Sequence, residues 1–206
     1  IEGLGASVRS TGRNAVIEAA LTRLAPLARP PAAAAPQETP DAATVILFHR
    51  DRRIILAPGD RLALTGRSGA GKTRLLETIA GYRADGDVLV EINGIPADPA
   101  ARRPLFALSP QDAPMLAGTI ADNLRIARAG LSDEALWRAL AIACLDDEVR
   151  AMPDAMATWV GDGGVRLSGG QRKRLSFARA ILAGRRWLLL DEPGEGLDPA
   201  KEAALR

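Results

Sequence analysis

Cysteine, histidine, lysine and aromatic side chains are all scarce in this 206-residue chain, and each shortage narrows what the protein can be. Cys144 is the sole cysteine, which rules out an internal disulfide framework and suits a reducing compartment. It falls on the same helical stripe as Leu136 and Leu140, so a buried structural thiol is expected rather than a reactive one. No run approaches the ~18 consecutive apolar residues that a spanning helix requires. The N-terminus also lacks the apolar core and cleavage site of a secretory signal. The chain as it stands is therefore expected to be soluble and cytosolic. Excess charge is missing as well: 27 Lys+Arg against 25 Asp+Glu leaves +2, which does not favour nucleic acid as the main partner. Lysine is confined to Lys72, Lys173 and Lys201 among many arginines, so a lysine inside a glycine loop at Lys72 runs against the composition.

What is present suffices for one sizeable core: 47% hydrophobic residues, 25% charged and 20 glycines, the profile of one main domain with an appendage. Val8, Val16, Ile17, Ala20, Leu21 and Leu24 recur near the helical period, which predicts a helix over residues 4 to 28, weakened by Gly12. The run PPAAAAPQETPDA from Pro30 to Ala42 has no period, and its prolines block helix and ladder alike, so it reads as a linker. A compact domain is then expected from Thr44. Short apolar runs alternate with helical patterns beyond it, which argues for an α/β fold with a parallel sheet and crossover helices. Strands are expected at Arg61 to Thr65, Val88 to Ile92, Leu105 to Leu108 and Trp187 to Leu190, the last wholly apolar as at a buried sheet centre. Helices are expected at Thr73 to Ala80 and over a long block from Ile120 to Leu182 that the loop ATWVGDGGVRLSGG interrupts.

Gly66-Arg67-Ser68-Gly69-Ala70-Gly71-Lys72-Thr73 completes a GxxxxGK[ST] loop between a strand and a helix, the context its mechanism requires. Glycines let the backbone curl until successive N–H groups face phosphate oxygens, and the helix that follows, with Arg74 in its first turn, adds its positive end. Lys72 can reach the outer phosphates and the Thr73 hydroxyl can coordinate Mg²⁺. The run Leu188 to Glu192 ends an apolar strand in two adjacent carboxylates, which point to opposite sides and cannot share a role. Asp191 is assigned to the metal, and Glu192 to general-base or water-positioning work. Leu167-Ser168-Gly169-Gly170-Gln171 opens an arginine-rich helix, and Gln171 stands twenty residues before Asp191. A serine hydroxyl and bare backbone amides at a helix N-terminus form a second anion site. One phosphate cradle already exists in the chain, so a second implies service to another molecule's nucleotide.

These motifs, in the order GRSGAGKT, Gln111 in ALSPQDAPML, LSGGQ, WLLLDE and GLD ending at Asp198, resemble the ATP-binding cassette (ABC) family from Arg61 to about Arg206. The resemblance implies a RecA-like P-loop core, a small antiparallel edge near Thr44 to Leu64, and an inserted helical subdomain spanning roughly Met115 to Leu182. It implies MgATP as cofactor, ATP hydrolysis, and head-to-tail pairing in which each ATP is clasped between one glycine loop and the partner's LSGGQ. By resemblance, Gln111 contacts Mg²⁺ or the attacking water, and Asp198 joins the nucleotide site.

GTIADNLRIA after Gln111 and TWVGDGG before LSGGQ resemble the exporter type, where such stretches face the cytoplasmic ends of membrane helices. Residues 1 to 29 then resemble the tail of a last membrane helix, with 30 to 43 as tether and 44 to 206 as the ATPase domain. The implied location is the cytoplasmic face of a bacterial inner membrane. The run TWVGDGGVRLSGGQRKRLSFARAIL with LLLDEPGEGLD is similar to subunits of bacterial heterodimeric thiol exporters, for cysteine or glutathione, needed for cytochrome bd assembly. That similarity implies a heterodimeric partner as well as a transmembrane domain. Gly194 departs from the family's usual Thr or Ser, and the adenine-stacking residue could be only Phe48 or His49. The family's switch histidine would follow Asp198 beyond Arg206, so the chain alone is expected to be monomeric without nucleotide and to hydrolyse ATP poorly. Two other readings stand beside export: an ATP-binding half that acts as a switch and hydrolyses little, and a soluble cassette protein with no membrane partner.

Overall fold

The computed structural model describes residues 5–8, 44–49, 52–84, 88–112 and 114–192. They fall into two compact units, the first holding residues 5–8 and those from 44 to 106, the second those from 107 to 192.

In the first unit β1 (Gly5–Val8), β2 (Val45–His49), β3 (Arg52–Leu56), β4 (Leu62–Thr65), β5 (Val88–Ile92) and β6 (Ile95–Pro96) alternate with α1 (Lys72–Ile79) and the short α2 (Pro99–Arg102). Strands β3, β2, β5 and β6 form one sheet in that order, with Leu47 opposite both Ile54 and Val90. Each of its pairs is antiparallel, so Val88–Ile92, expected in the parallel sheet, instead widens the antiparallel edge. The cause is local. Asn93 and Gly94 both take positive φ, 54° and 77°, the two-residue turn whose twist matches a hairpin and sends the chain straight back as β6. Asn93 Oδ1 also accepts from the Thr44 N–H at 2.8 Å, which pins the start of the domain where a boundary is expected. Val45, Leu47, Leu56, Val88 and Val90 lie on one face of this sheet and are buried, and α1 packs on β5 with Leu76 and Ile79 inward. Gly5–Val8 pairs antiparallel with β4 and is a strand, not the first turn of a helix. Ladder bonds from β4 satisfy backbone groups that glycine and serine would hold only weakly in a helix. The rest of the expected helix and the linker to residue 43 lie outside the described residues.

The second unit is built on helices. α3 (Ile120–Arg125), α4 (Asp133–Ile142), α5 (Asp146–Arg150) and α6 (Gly169–Leu182) fall inside the expected block, joined by 3₁₀ turns at Ala155–Ala157 and Asp162–Gly164. Leu124, Leu136, Leu140, Val149, Val160, Leu175 and Leu182 form a shared buried core between α6 and the shorter helices. Strand β7 (Phe106–Ser109) hydrogen-bonds β8 (Trp187–Leu190). All four β8 residues are half-buried, although an all-apolar run suggests a fully covered strand; Leu188 and Leu190 pack on the helical core.

Cys144 departs from its expected stripe. α4 stops at Ile142, and the Leu145 N–H donates to Leu140 O at 2.9 Å while the Cys144 N–H donates to Ala141 O at 3.1 Å. That paired closure puts Cys144 at φ 53°, where glycine is usual, and hands the buried position to Leu145. The cysteine is half-buried at the turn. Among the described residues no helix is long and apolar enough to cross a membrane.

Candidate functional site

The glycine loop lies in the first unit between β4 and α1. Gly69 and Gly71 take φ of 78° and 91°, which curls the backbone so that amides turn to one side; a side chain at either position would be strained. Gly71 is the N-cap of α1 and supplies no side-chain acceptor, and no acidic residue stands in the first turn. The leading amides of α1 therefore keep their capacity for an outside anion. Lys72 Nζ donates to Gly66 O at 3.1 Å and to Arg67 O at 3.2 Å, lying back across the loop. An ammonium has three donors, so one remains for a phosphate oxygen. Residues Gly66 to Gly69 and Arg74 are exposed, while Ala70, Lys72 and Thr73 are half-buried.

The carboxylates and Gln111 belong to the second unit. Asp191 follows β8, is 6% exposed, and is held by its own N–H donating to Ser109 O at 3.0 Å. Glu192 next to it adopts φ 50°, a left-handed conformation that costs a non-glycine residue on the order of 1–2 kcal/mol. Its Oε2 accepts from Gln111 Nε2 at 2.8 Å. Adjacent carboxylates thus occupy different surroundings, one buried and one half-buried. The Asp191 carboxylate and Gln111 amide of this unit are oxygen donors of the class Mg²⁺ prefers beside phosphate, and the Thr73 hydroxyl of the first unit belongs to the same class.

The segment that carries Gln111 is tethered from within the same unit. Arg179 Nη2 of α6 donates to Pro114 O at 2.9 Å, and burial lowers the pKa of that guanidinium from its ordinary value. The buried Asn123 side chain accepts from Leu116 N at 2.9 Å and donates to Leu116 O and Thr119 O, each at 3.0 Å. Thr119 caps α3 in a capping box with Asp122, whose carboxyl is held below its ordinary value first by the Thr119 backbone N–H and then by the Thr119 hydroxyl.

Ser168 caps α6. Its Oγ accepts from Gln171 N at 3.1 Å, and Gln171 Oε1 accepts from Ser168 N at 2.9 Å, a second capping box. The hydroxyl proton of Ser168 remains available as a donor. An ideal Cβ on Gly169 would meet nothing within 4 Å, so the space over the first turn of α6 is open. Beneath it, Arg172 Nη1 donates to Leu167 O at 2.9 Å. Glu148 of α5 accepts from Gln171 Nε2 at 3.1 Å and from Arg174 Nη2 at 2.7 and 2.8 Å.

The structure therefore joins Gln111 to Glu192, gathers Ser168 to Gln171 around one helix start, and runs Gly66 to Arg74 as a loop that turns into the first turn of α1 at Lys72. Phe48 and His49 end β2: the Arg53 guanidinium lies 5.7 Å from the Phe48 ring centroid, and the His49 ring nitrogens are buried without a hydrogen-bond partner among the described residues. Asp198 and Gly194 lie outside the described residues. Sequence reasoning missed Asn123, Glu148 and the anchoring arginines. Only the S-x-x-Q spacing at Ser168 offered a local signal, since the Glu148–Arg174 pair is separated by 26 positions.

Comparison with known proteins adds the family context. The family model described as ABC transporter matches residues 50–195. The mycobactin import ATP-binding/permease protein IrtB of Mycolicibacterium thermoresistibile is 39% identical over 153 residues, 73% of this chain and 26% of that protein. The ATP-dependent lipid A-core flippase of Burkholderia orbicola is 41% identical over 71% of the chain and 25% of its own length. The glutathione/L-cysteine transport system ATP-binding/permease protein CydC of Escherichia coli is 38% identical over 71% of the chain and 26% of its own length. A bacterial Atm1-family ABC exporter with ATP bound superposes with a TM-score of 0.66 at 25% identity, covering 80% of this chain and 32% of that one. The chain spans about a quarter of the length of the curated relatives it matches.

Proposed function

The chain belongs to the ABC transporter family, with the P-loop ATPase fold of that family, and from that premise we propose that it is the ATP-binding and ATP-hydrolysing domain of an exporter. It binds MgATP along Gly66–Arg74 and lends Ser168–Gln171 to the nucleotide of a second such domain. The observation that carries this reading is the presence on one chain of two separate helix starts shaped for anions. One is at Gly71, with a lysine across its loop; the other is at Ser168, with open space above Gly169.

Transfer is an in-line attack of water on the terminal phosphate, and the protein's part is positioning and charge neutralisation. Lys72 and the loop amides hold the outer phosphates. Mg²⁺, which the oxygen donors of Thr73, Asp191 and Gln111 suit, neutralises developing charge when bound. Glu192 orients the attacking water or takes its proton, and Gln111, already bonded to that carboxylate, reads whether the site is filled. Asp198 completes the nucleotide contacts. Pairing closes both sites, hydrolysis lets the pair part, and the cycle drives a transmembrane partner at the cytoplasmic face of the membrane.

A thiol such as cysteine or glutathione as cargo, and a heterodimeric partner, are supported by the LLLDEPGEGLD run and by the similarity to CydC. The alternative of a non-hydrolysing switch half draws on Gly194 and is opposed by Glu192 and the intact Ser168–Gln171 segment. Two variants separate the two anion sites. Lys72→Ala should weaken MgATP binding by the unpaired chain, read by titration calorimetry. Gly169→Asp should leave that affinity unchanged and abolish nucleotide-dependent pairing, read by sedimentation. MgATP affinity untouched by Lys72→Ala would remove the basis of this reading.

A further inference from the structure

Glu148 stands outside every motif, yet it is the acceptor on which the start of α6 rests. We propose that Glu148 is a positioning residue for the Ser168–Gln171 segment: its carboxylate fixes the Gln171 amide, and through it the cap that keeps the leading amides of α6 open to a neighbour's phosphate. The inference rests on the two-site reading above and deepens it.

The polarity of the contacts leaves one arrangement. Gln171 Oε1 must accept, because it faces the Ser168 N–H at 2.9 Å, so its Nε2 must donate on the other side. A carboxylate there can only accept, and it does so at 3.1 Å. The same carboxylate takes Arg174 Nη2 at 2.7 and 2.8 Å, and the Arg174 side chain is 8% exposed, so that guanidinium depends on a partner for its charge. Arg174 lies on α6 one turn beyond Gln171 on the same helix face, and both contacts hold the helix start to the same carboxylate of α5.

Two physical effects of neutralising Glu148 have opposite signs, which makes the inference testable. On charge alone, Glu148→Gln leaves Arg174 uncompensated one turn from an anion site, and phosphate should be held more tightly. On positioning, the new amide nitrogen must face a donor: Arg174 alone in one orientation, Arg174 and Gln171 in the other. If Gln171 flips to meet it, an NH₂ is turned on the Ser168 N–H and the capping box is broken. Exchanging the two side chains, Glu148→Gln with Gln171→Glu, restores the capping box and the bond between positions 148 and 171, and leaves Arg174 one of its two contacts to position 148. The carboxylate at position 171 accepts from Ser168 N, its other oxygen accepts from the amide at 148, and that amide's oxygen accepts from Arg174.

The experiment uses the full chain and measures hydrogen exchange at the Ser168 amide without nucleotide, MgATP affinity of the unpaired chain, and the concentration midpoint of MgATP-dependent pairing with a second ATPase domain. Glu148→Gln should speed exchange at Ser168 and weaken pairing, each by about tenfold, the scale of one lost hydrogen bond to a charged group. MgATP affinity of the unpaired chain should not move. The exchanged pair should recover the Ser168 protection, and it keeps the test decisive should Glu148→Gln fail to fold. Unchanged exchange at Ser168, tighter pairing, altered exchange with unaltered pairing, or no recovery in the exchanged pair would each overturn the proposal. A wild-type chain that binds MgATP and never pairs would count against the two-site reading instead, and exchange at Ser168 would still decide the role of Glu148.

Discussion

Replacing Gly169 by alanine adds one methyl at the first helical position of α6, where an ideal Cβ meets no atom within 4 Å and the backbone is outside the left-handed region. The folded chain therefore has no steric reason for glycine there. Alanine is favoured over glycine by up to about 1 kcal/mol in a helix, and less at its first position. For a chain of this size that raises Tm by at most roughly 2–4 °C. The methyl does project into the space from which a phosphate must approach the amides of the first turn. Displacing one charge-assisted hydrogen bond costs about 1.5–3 kcal/mol, or roughly ten- to hundredfold in pairing or turnover. Differential scanning fluorimetry and steady-state ATPase, measured with a second ATPase domain present, should thus move in opposite directions: Tm equal or higher, activity lower. A fall in Tm would mean that the glycine serves the fold. Unchanged activity would mean that nothing approaches this surface.

The same substitution at Gly81 should behave oppositely, because φ is 80° and the added Cβ would sit 2.2 Å from Pro99 O. Left-handed strain and overpacking together predict a loss of about 2–5 kcal/mol in urea unfolding, and a loss under 1 kcal/mol would refute the geometry. Glu192→Gln should keep MgATP binding and reduce ATPase by at least about a hundredfold, whereas undiminished turnover would show that another group activates water. Asp122 is held below its ordinary value, near 3.8, so its contribution to stability is fully present above that pH and is lost as pH falls through the lower folded value. The stability gap between wild type and Asp122→Asn in urea titrations should therefore close as the pH drops below about 3.8, and a gap that widened there would contradict the assigned direction.

The local backbone conformation of the motif segments was more legible than the sense of each strand pairing, for a physical reason. Gly66–Thr73 and Ser168–Gln171 are short stretches whose residue types are dictated by what the backbone must do locally, and the structure shows local conformations of that kind. Sheet sense is not a local property. Val88–Ile92 looks like any apolar strand, and only the Asn93-Gly94 pair after it announced an antiparallel return. Cys144 carried the helical period by coincidence, because α4 ends two residues earlier in a reversal that normally uses glycine. The Glu148–Arg174 pair could not be read at all, since nothing in either neighbourhood specifies a partner 26 positions away.

The two carboxylates show why adjacency in sequence does not make them equivalent. Had the strand continued, alternation alone would have set Asp191 and Glu192 on opposite sides. Instead the chain leaves β8 at Leu190, Asp191 is locked by its N–H to Ser109, and Glu192 turns into the left-handed region. That turn costs on the order of 1–2 kcal/mol for a side chain with a Cβ, and the hydrogen bond from Gln111 helps to offset it. The bond engages Oε2 and leaves the other oxygen of Glu192 for a water, so the roles proposed for Gln111 and Glu192 can be filled by one carboxylate at the same time. Losing Gln111 would therefore do more than remove a contact: it would release a strained residue on whose orientation the proposed hydrolytic role rests, which is why the two side chains should be non-additive when both are changed.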